Sequence, residues 1–148
     1  MKSSLVIAVL ISCTLLIYGC CKCILREDVV SLNVISAQTG QDLIFGPASQ
    51  YQSSQIKMYA MRGSDTVWLG VYLQPRDTLQ KDSSLLLAFH ALDLDLAYLV
   101  LSPSDQDTIQ LKRHEVKKGC CKGNFYIDEV YYNQSKLIPE NGFYIAKK

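Results

Sequence analysis

Residues 56–73 read IKMYAMRGSDTVWLGVYL, and their pattern is the clearest indication of the fold class. Apolar side chains stand at every second position in residues 56–60, and again in residues 69–73. Between the two runs, RGSD at 62–65 has the composition of a turn. A spacing of two is that of a strand with one buried face. The stretch therefore predicts two strands separated by a turn.

The same alternation recurs along the chain from Val30 to Ile145, with turn-forming residues between the runs. Residues 84–101 are rich in Leu and Ala, but the Ser-Pro stop at 102–103 favours two strands there. About seven to nine short strands at this spacing predict an all-β fold, an immunoglobulin-like or related β-sandwich. Alternation assigns these side chains to the core: Leu32, Val34, Ile56, Met58, Val71, Leu87, Tyr98, Val100, Ile109 and Ile127.

The N-terminus carries a targeting signal. Lys2 is followed by an apolar run over residues 5–18, which suits a signal peptide and is shorter than the roughly 20 residues of a membrane-spanning helix. The run ends at Gly19-Cys20, and a small residue followed by cysteine resembles the end of a bacterial lipoprotein signal. The resemblance implies that Cys20 becomes the N-terminus and carries acyl chains, which would hold the protein on a membrane. The alternatives are an uncleaved anchor and a secreted soluble protein.

These boundaries predict a signal peptide at 1–19, a tether at 20–28 and one β-sandwich domain at 29–148. Loss of Lys2 with the signal peptide leaves 14 basic and 14 acidic residues, so the mature chain is formally neutral. A neutral chain is not expected to bind nucleic acid, which requires a basic excess.

Three short motifs resemble those of small lipoproteins of the Bacteroidetes type. They are TGQDLI at 39–44, DQDTI at 105–109, and Cys121 followed by FYI at 125–127 and VYYN at 130–133. The resemblance implies a sandwich-like fold and a place in the bacterial cell envelope, lipid-anchored at the outer membrane. It implies no enzymatic activity and no cofactor.

Four cysteines besides Cys20 stand in two pairs in the mature chain. They are Cys21, Cys23, Cys120 and Cys121. An oxidising envelope favours disulfides, and four cysteines allow three pairings. The alternative is a soft-metal site for Cu(I) or Zn(II), with His114 nearby in sequence. The chain is thus interpreted as an envelope accessory or binding protein, with a thiol- or metal-handling protein as the alternative.

No catalytic motif is recognisable, and the protein is expected not to be an enzyme. Asp105 and Asp107 form an Asp-x-Asp pair, which is more typical of a turn than of a glycosidase or calcium site. Alternation places several aromatic rings on an outer face, where they indicate either cross-strand packing or a surface for an envelope protein or glycan. The candidate surface residues are Trp68, Tyr72, Tyr131 and Tyr132.

Overall fold

The computed structural model describes residues 29–74, 83–89, 94–117 and 125–148. Within these ranges the chain forms strands, joined by turns and a single 3-10 turn at Ser53–Gln55. The prediction of an all-β fold is confirmed, while the immunoglobulin-like arrangement stays a prediction. The strands are β1 Val29–Ile35, β2 Lys57–Arg62, β3 Asp65–Gln74, β4 Ser84–Ala88, β5 Leu96–Ser102, β6 Asp105–Glu115, β7 Phe125–Tyr132, β8 Ser135–Leu137, β9 Pro139–Glu140 and β10 Phe143–Lys147.

The strands hydrogen-bond in one mixed sheet of order β8-β7-β6-β5-β2-β3-β4-β1-β10-β9. The pair β1–β10 is parallel, and the other pairs with a defined register are antiparallel. The two outermost strands, β8 and β9, have three and two residues. Such short edges offer little backbone for pairing with another chain.

The turn predicted at residues 62–65 is a two-residue hairpin loop, because Arg62 pairs with Asp65. Gly63 has a φ of 62° at the first loop position, which is where a type II′ hairpin turn requires glycine. The strand that follows, β3, is shared between two partners. Its first half pairs with β2 and its second half, from Gly70, pairs with β4.

One face of the sheet builds the apolar core, and most of the predicted core residues lie in it. Val71 and Ile127 are half-buried and pack against it. The largest fully buried side chains are Phe89, Leu32, Met58, Leu85, Leu87, Leu99, Leu101, Ile109, Leu111, Val30, Val34 and Val130.

The predicted face of β5 is wrong. Ala97, Leu99 and Leu101 are buried, whereas Tyr98 and Val100 are half-buried on the opposite face. The alternation itself is present, since burial changes at every residue of β5. Tyr98 lies on the outer face because it pairs with Tyr59 of β2, whose neighbours Met58 and Ala60 are the buried residues of that strand.

The sheet curls around its core. Five strands lie between β6 and β10 in the sheet order, yet Lys148, directly after β10, bonds to Asp105 and Asp107 of β6. The backbone of Lys148 also donates to Ile35 and accepts from Ala37, so it is attached to the end of β1. Lys148 therefore connects β1 and β10, near one end of the sheet, to β6, near the other end.

Candidate binding surface

The outer face of the sheet carries a row of three aromatic rings across three neighbouring strands. Register places Trp68 of β3 beside Tyr59 of β2, and Tyr59 beside Tyr98 of β5. The Tyr59 and Trp68 rings meet edge to face with centroids 5.6 Å apart, and the Tyr59 and Tyr98 rings stack at 5.0 Å. These are the preferred geometries of aromatic pairs. We call Trp68, Tyr59 and Tyr98 the aromatic row.

Trp68 is the exposed end of the aromatic row. Its side chain is 64% exposed, although Tyr59 packs against its edge and Lys57 Nζ lies 6.0 Å from its ring centroid. The Tyr59 hydroxyl is also held in place, because it donates to Gln106 Oε1 over 2.9 Å. Contacts with neighbouring side chains therefore limit the movement of Tyr59 and Trp68, while most of the Trp68 ring faces solvent. A ring whose movement is already limited loses little side-chain entropy when it binds a ligand.

Tyr72 lies on the same face of β3 as Trp68 and is 56% exposed. A Cβ built on Gly70 would lie 2.9 Å from the Tyr72 Cε2 atom, so the Tyr72 ring covers the glycine between the two aromatic positions. The predicted placement of Trp68 and Tyr72 at the surface is therefore confirmed. The structure also adds Tyr59 and Tyr98 to this surface, which the sequence interpretation did not name as surface residues.

Tyr131 and Tyr132 do not join the aromatic row. Tyr131 is half-buried, and its hydroxyl donates to Glu129 on a charged part of the outer face. Tyr132 is only 4% exposed, and its hydroxyl donates to Asp107 Oδ2 over 2.5 Å. Its assignment to a binding surface is wrong, because β7 turns Tyr132 inward together with Val130.

The charged part of the outer face is organised around Glu129. This carboxylate accepts from Lys112, Lys136 and Tyr131, and Lys112 Nζ lies 5.1 Å from the Tyr131 ring centroid. Hydrogen bonds from Lys112, Lys136 and Tyr131 lower the pKa of Glu129 to about 2. The same contacts raise the pKa of both lysines. Lys112 of β6 and Lys136 of β8 therefore both form ion pairs with Glu129 of β7.

A second polar group lies inside the curled sheet, which we call the carboxylate cluster: Asp105, Asp107, Lys148, Tyr51 and Tyr132. Lys148 Nζ is 2.5 Å from an oxygen of each aspartate, and the Tyr51 hydroxyl is 2.5 Å from Asp105 Oδ2. Asp107 is 4% exposed. The interpretation of this Asp-x-Asp pair as turn residues is confirmed for Asp105, which directly follows the turn at 103–104, and is wrong for Asp107, which is buried and bonded to Lys148.

The carboxylate cluster is extended by the β7–β8 turn. Asn133 Nδ2 donates to Asp107 Oδ1 over 2.7 Å, while Asn133 Oδ1 accepts from the Thr108 backbone N–H over 2.8 Å. Asn133 and Gln134 have positive φ angles, as both loop positions of a type I′ turn require. The VYYN motif therefore ends on an asparagine that fits both the turn and the cluster.

Burial and charge act in opposite directions on the pKa values of Asp105 and Lys148, and in the same direction on the pKa of Tyr132. For Asp105 burial raises the pKa, but hydrogen bonds from Lys148 and Tyr51 outweigh it, so the pKa lies below its ordinary value. For Lys148 burial lowers the pKa, but its two aspartates outweigh it and raise the pKa. Burial, followed by the bond to Asp107, raises the pKa of Tyr132. The pKa values of Asp105 and Lys148 therefore both favour the charged pair at neutral pH.

A half-open cleft of about 590 Å³ lies beside the carboxylate cluster, lined by Ile35 of β1, Ile145 of β10 and Leu137 of β8, among others. This volume is in the range of small-molecule sites. Several polar groups in its wall are already engaged with carboxylates, namely Tyr132 and Asn133 with Asp107, and Lys136 with Glu129. The cleft is therefore a weaker candidate site than the aromatic row.

The predicted lipid, disulfide and metal residues lie outside the described residues. They are Cys20, Cys21, Cys23, Cys120 and Cys121. Their chemistry stays a prediction. His114 is described, and its Nδ1 lies 2.8 Å from Asp128 Oδ1 while its ring stacks on Tyr126. Within the described ranges no three His, Cys, Asp or Glu side chains are grouped to hold a metal ion.

In the part of the chain that the structure describes, no helix has the length and apolarity to cross a membrane. Comparison of the chain with protein-family models, with curated proteins and with solved structures finds no match. Its function is therefore inferred from its own side chains.

Proposed function

We propose that the protein is a lipid-anchored protein of the bacterial cell envelope, at the outer membrane, whose β domain is a non-catalytic binding module. The observation that carries the binding role is the aromatic row, with Trp68 held by Tyr59 and Lys57 and still 64% exposed. Tryptophan and tyrosine are enriched among the residues that contribute most of the binding energy at interfaces. An envelope protein or a glycan is the expected partner.

The envelope assignment rests on the N-terminal sequence, where an apolar run ends at Gly19-Cys20. The formally neutral mature chain accords with a partner other than nucleic acid. The thiol- or metal-handling alternative has no described residue in its favour, because its cysteines lie outside the described ranges. The binding role is therefore the function that the described side chains support best.

We expect Cys20→Ala to block acylation and to leave the precursor uncleaved, because the thiol that would carry the lipid is gone. Mass spectrometry of the wild-type N-terminus measures this directly, and the mature chain should begin at Cys20 with added acyl mass. Cys21→Ala is the matched control and should be processed like the wild type. A mature chain that begins at any other residue would contradict the anchor.

Trp68→Ala should abolish binding of envelope material, because it removes the exposed ring and leaves the core untouched. The lipidated protein is held in nanodiscs on an interferometry sensor and exposed to a detergent-free envelope extract from cells lacking the protein. Wild type should give a binding response, and Lys112→Ala, on the charged part of the outer face, should give the same response. Circular dichroism checks that each variant is folded. Equal responses from wild type and folded Trp68→Ala would refute the binding role of the aromatic row.

A further inference from the structure

The outer face of the sheet is divided into two chemically different halves. On β6 to β8 it carries the ions around Glu129, together with His114 and Asp128. On β3, β2, β5 and the first part of β6, Lys57 is the one charged side chain that alternation places on the outer face of the described strands. Among the outward side chains of these described strands, the aromatic row therefore has one charged neighbour, Lys57.

The polar side chains that share this neutral half are amides and hydroxyls. Register places Gln106, Thr108 and Gln110 of β6 beside the outward residues of β5, and Thr66 of β3 beside Met61. Gln106 uses its Oε1 to accept from Tyr59, which leaves the Nε2 hydrogens as donors for another partner. The rings of β3, β2 and β5 are thus followed on β6 by uncharged hydrogen-bonding groups, of which the Thr108 hydroxyl already donates to Asn133 Oδ1 and can accept from a further partner.

This chemistry restricts the ligand. A nucleic acid could stack one of its bases on Trp68, but its phosphates would meet one lysine instead of a basic groove. A cation is disfavoured because Lys57 Nζ already lies 6.0 Å from the Trp68 ring centroid. A stable protein partner needs roughly 800 Å² of each surface, with a fully buried apolar centre, whereas the large exposed apolar side chains on this half of the face are Trp68, Tyr72, Met61 and Leu96, and the Tyr72 ring already covers Gly70. A sugar ring has an apolar C–H face for the indole and hydroxyls for the amides.

We propose that the aromatic row binds a neutral glycan, with one sugar ring stacked on Trp68 of β3 and the hydroxyls of sugar units further along the row bonded to the amide and hydroxyl side chains of β6, three strands away. Lys57 is a further donor to a sugar oxygen, since its ammonium already lies at the ring. The inference rests on the proposed binding role and names the class of ligand.

Trp68 is the one tryptophan of the chain, so its fluorescence reports on the proposed site without interference. The detergent-solubilised lipidated protein is titrated with neutral oligosaccharides, namely the hexaoses of cellulose, amylose, mannan, xylan and β-1,4-galactan. At least one should shift the emission to shorter wavelength and protect Trp68 from acrylamide quenching. Calorimetry with the same sugar should show roughly tenfold or greater weakening in Trp68→Ala. Trp68→Phe should retain part of the affinity, and Tyr131→Ala all of it.

The outcomes separate the inference from the proposed function. If envelope material binds through Trp68 but none of the five oligosaccharides protects the indole or competes for the site, the glycan inference is overturned and the binding role stands. If a sugar binds equally well to folded Trp68→Ala, the placement of the glycan on the aromatic row is overturned. If Trp68→Ala has no effect on envelope binding and no sugar protects the indole, both proposals fail.

Discussion

Leu99→Asp should leave the chain largely unfolded at 25 °C, whereas Val100→Asp, one residue further along β5, should fold. Leu99 is 0% exposed, so its replacement loses about 2–5 kcal/mol of apolar packing and adds the cost of an unpaired buried carboxylate. That sum approaches the whole stability of a small domain, about 5–15 kcal/mol. Val100 lies on the outer face and pairs with Lys57, so an aspartate there would meet water and an ammonium group. Its cost should be about 1 kcal/mol or less.

Urea denaturation followed by circular dichroism measures both variants of β5. Val100→Asp should show a cooperative transition near that of wild type, and Leu99→Asp should show little β signal before urea is added. Leu99→Ala is the intermediate case, because it makes the cavity without the charge. Similar midpoints for Leu99→Asp and Val100→Asp would contradict the assignment of the two faces.

The face of β5 was not predictable from its own sequence, for a physical reason. The strand reads LAYLVLS, which is apolar on both faces, so its hydrophobicity has no period of two. The outer face is apolar because Tyr98 stacks on Tyr59, and the inner face is apolar because Leu99 and Leu101 fill the core. Only the pairing with β2 decides between the two faces, and pairing is a non-local property.

Features that depend on neighbouring residues along the chain were predicted more successfully than the face of β5. The alternation in residues 56–73 and the turn at 62–65 predicted β2, β3 and the loop between them, since both depend on neighbours along the chain. The exposure of Trp68 and Tyr72 followed from the same alternation. The aromatic row as a whole did not follow, because Tyr98 was placed on the wrong face and the rings of β2, β3 and β5 meet only through sheet register.

The carboxylate cluster shows the limit of sequence reasoning most clearly. Asp-x-Asp after Ser-Pro-Ser is typical of a turn, and the first side chain does stand at the turn, where Asp105 pairs with Ser102. Its partners, however, are Tyr51 and Lys148, 54 and 43 residues away along the chain. No spacing rule connects residues so far apart. The curl of the sheet brings these residues together, and the burial of Asp107 then makes the loss of its ammonium partner costly to stability.

Lys148→Met should destabilise the protein by about 3 kcal/mol, which is the lower end of the cost of removing one partner from a buried ion pair. Asp107 is 4% exposed and would keep only the neutral donors Tyr132 and Asn133. The apolar stem of the lysine is largely retained in methionine, so the loss reports on the ammonium group and not on packing. The free energy of unfolding in urea, measured at pH 7, tests this expectation.

Lys147→Met is the matched control, because it removes the same charge from the neighbouring residue, whose side chain is exposed. Its effect should stay within about 0.5 kcal/mol. Asp107→Asn in the Lys148→Met background should recover part of the loss, since a neutral amide is less costly to bury without the ammonium than a carboxylate. The stabilities of Lys148→Met, Asp107→Asn and the double variant then give the coupling energy between the two side chains, which should be about 1–2 kcal/mol in favour of the pair. Equal stabilities of Lys148→Met and Lys147→Met would mean that the ion pair does not hold the ends of the sheet together, and that the apolar core alone maintains the curl.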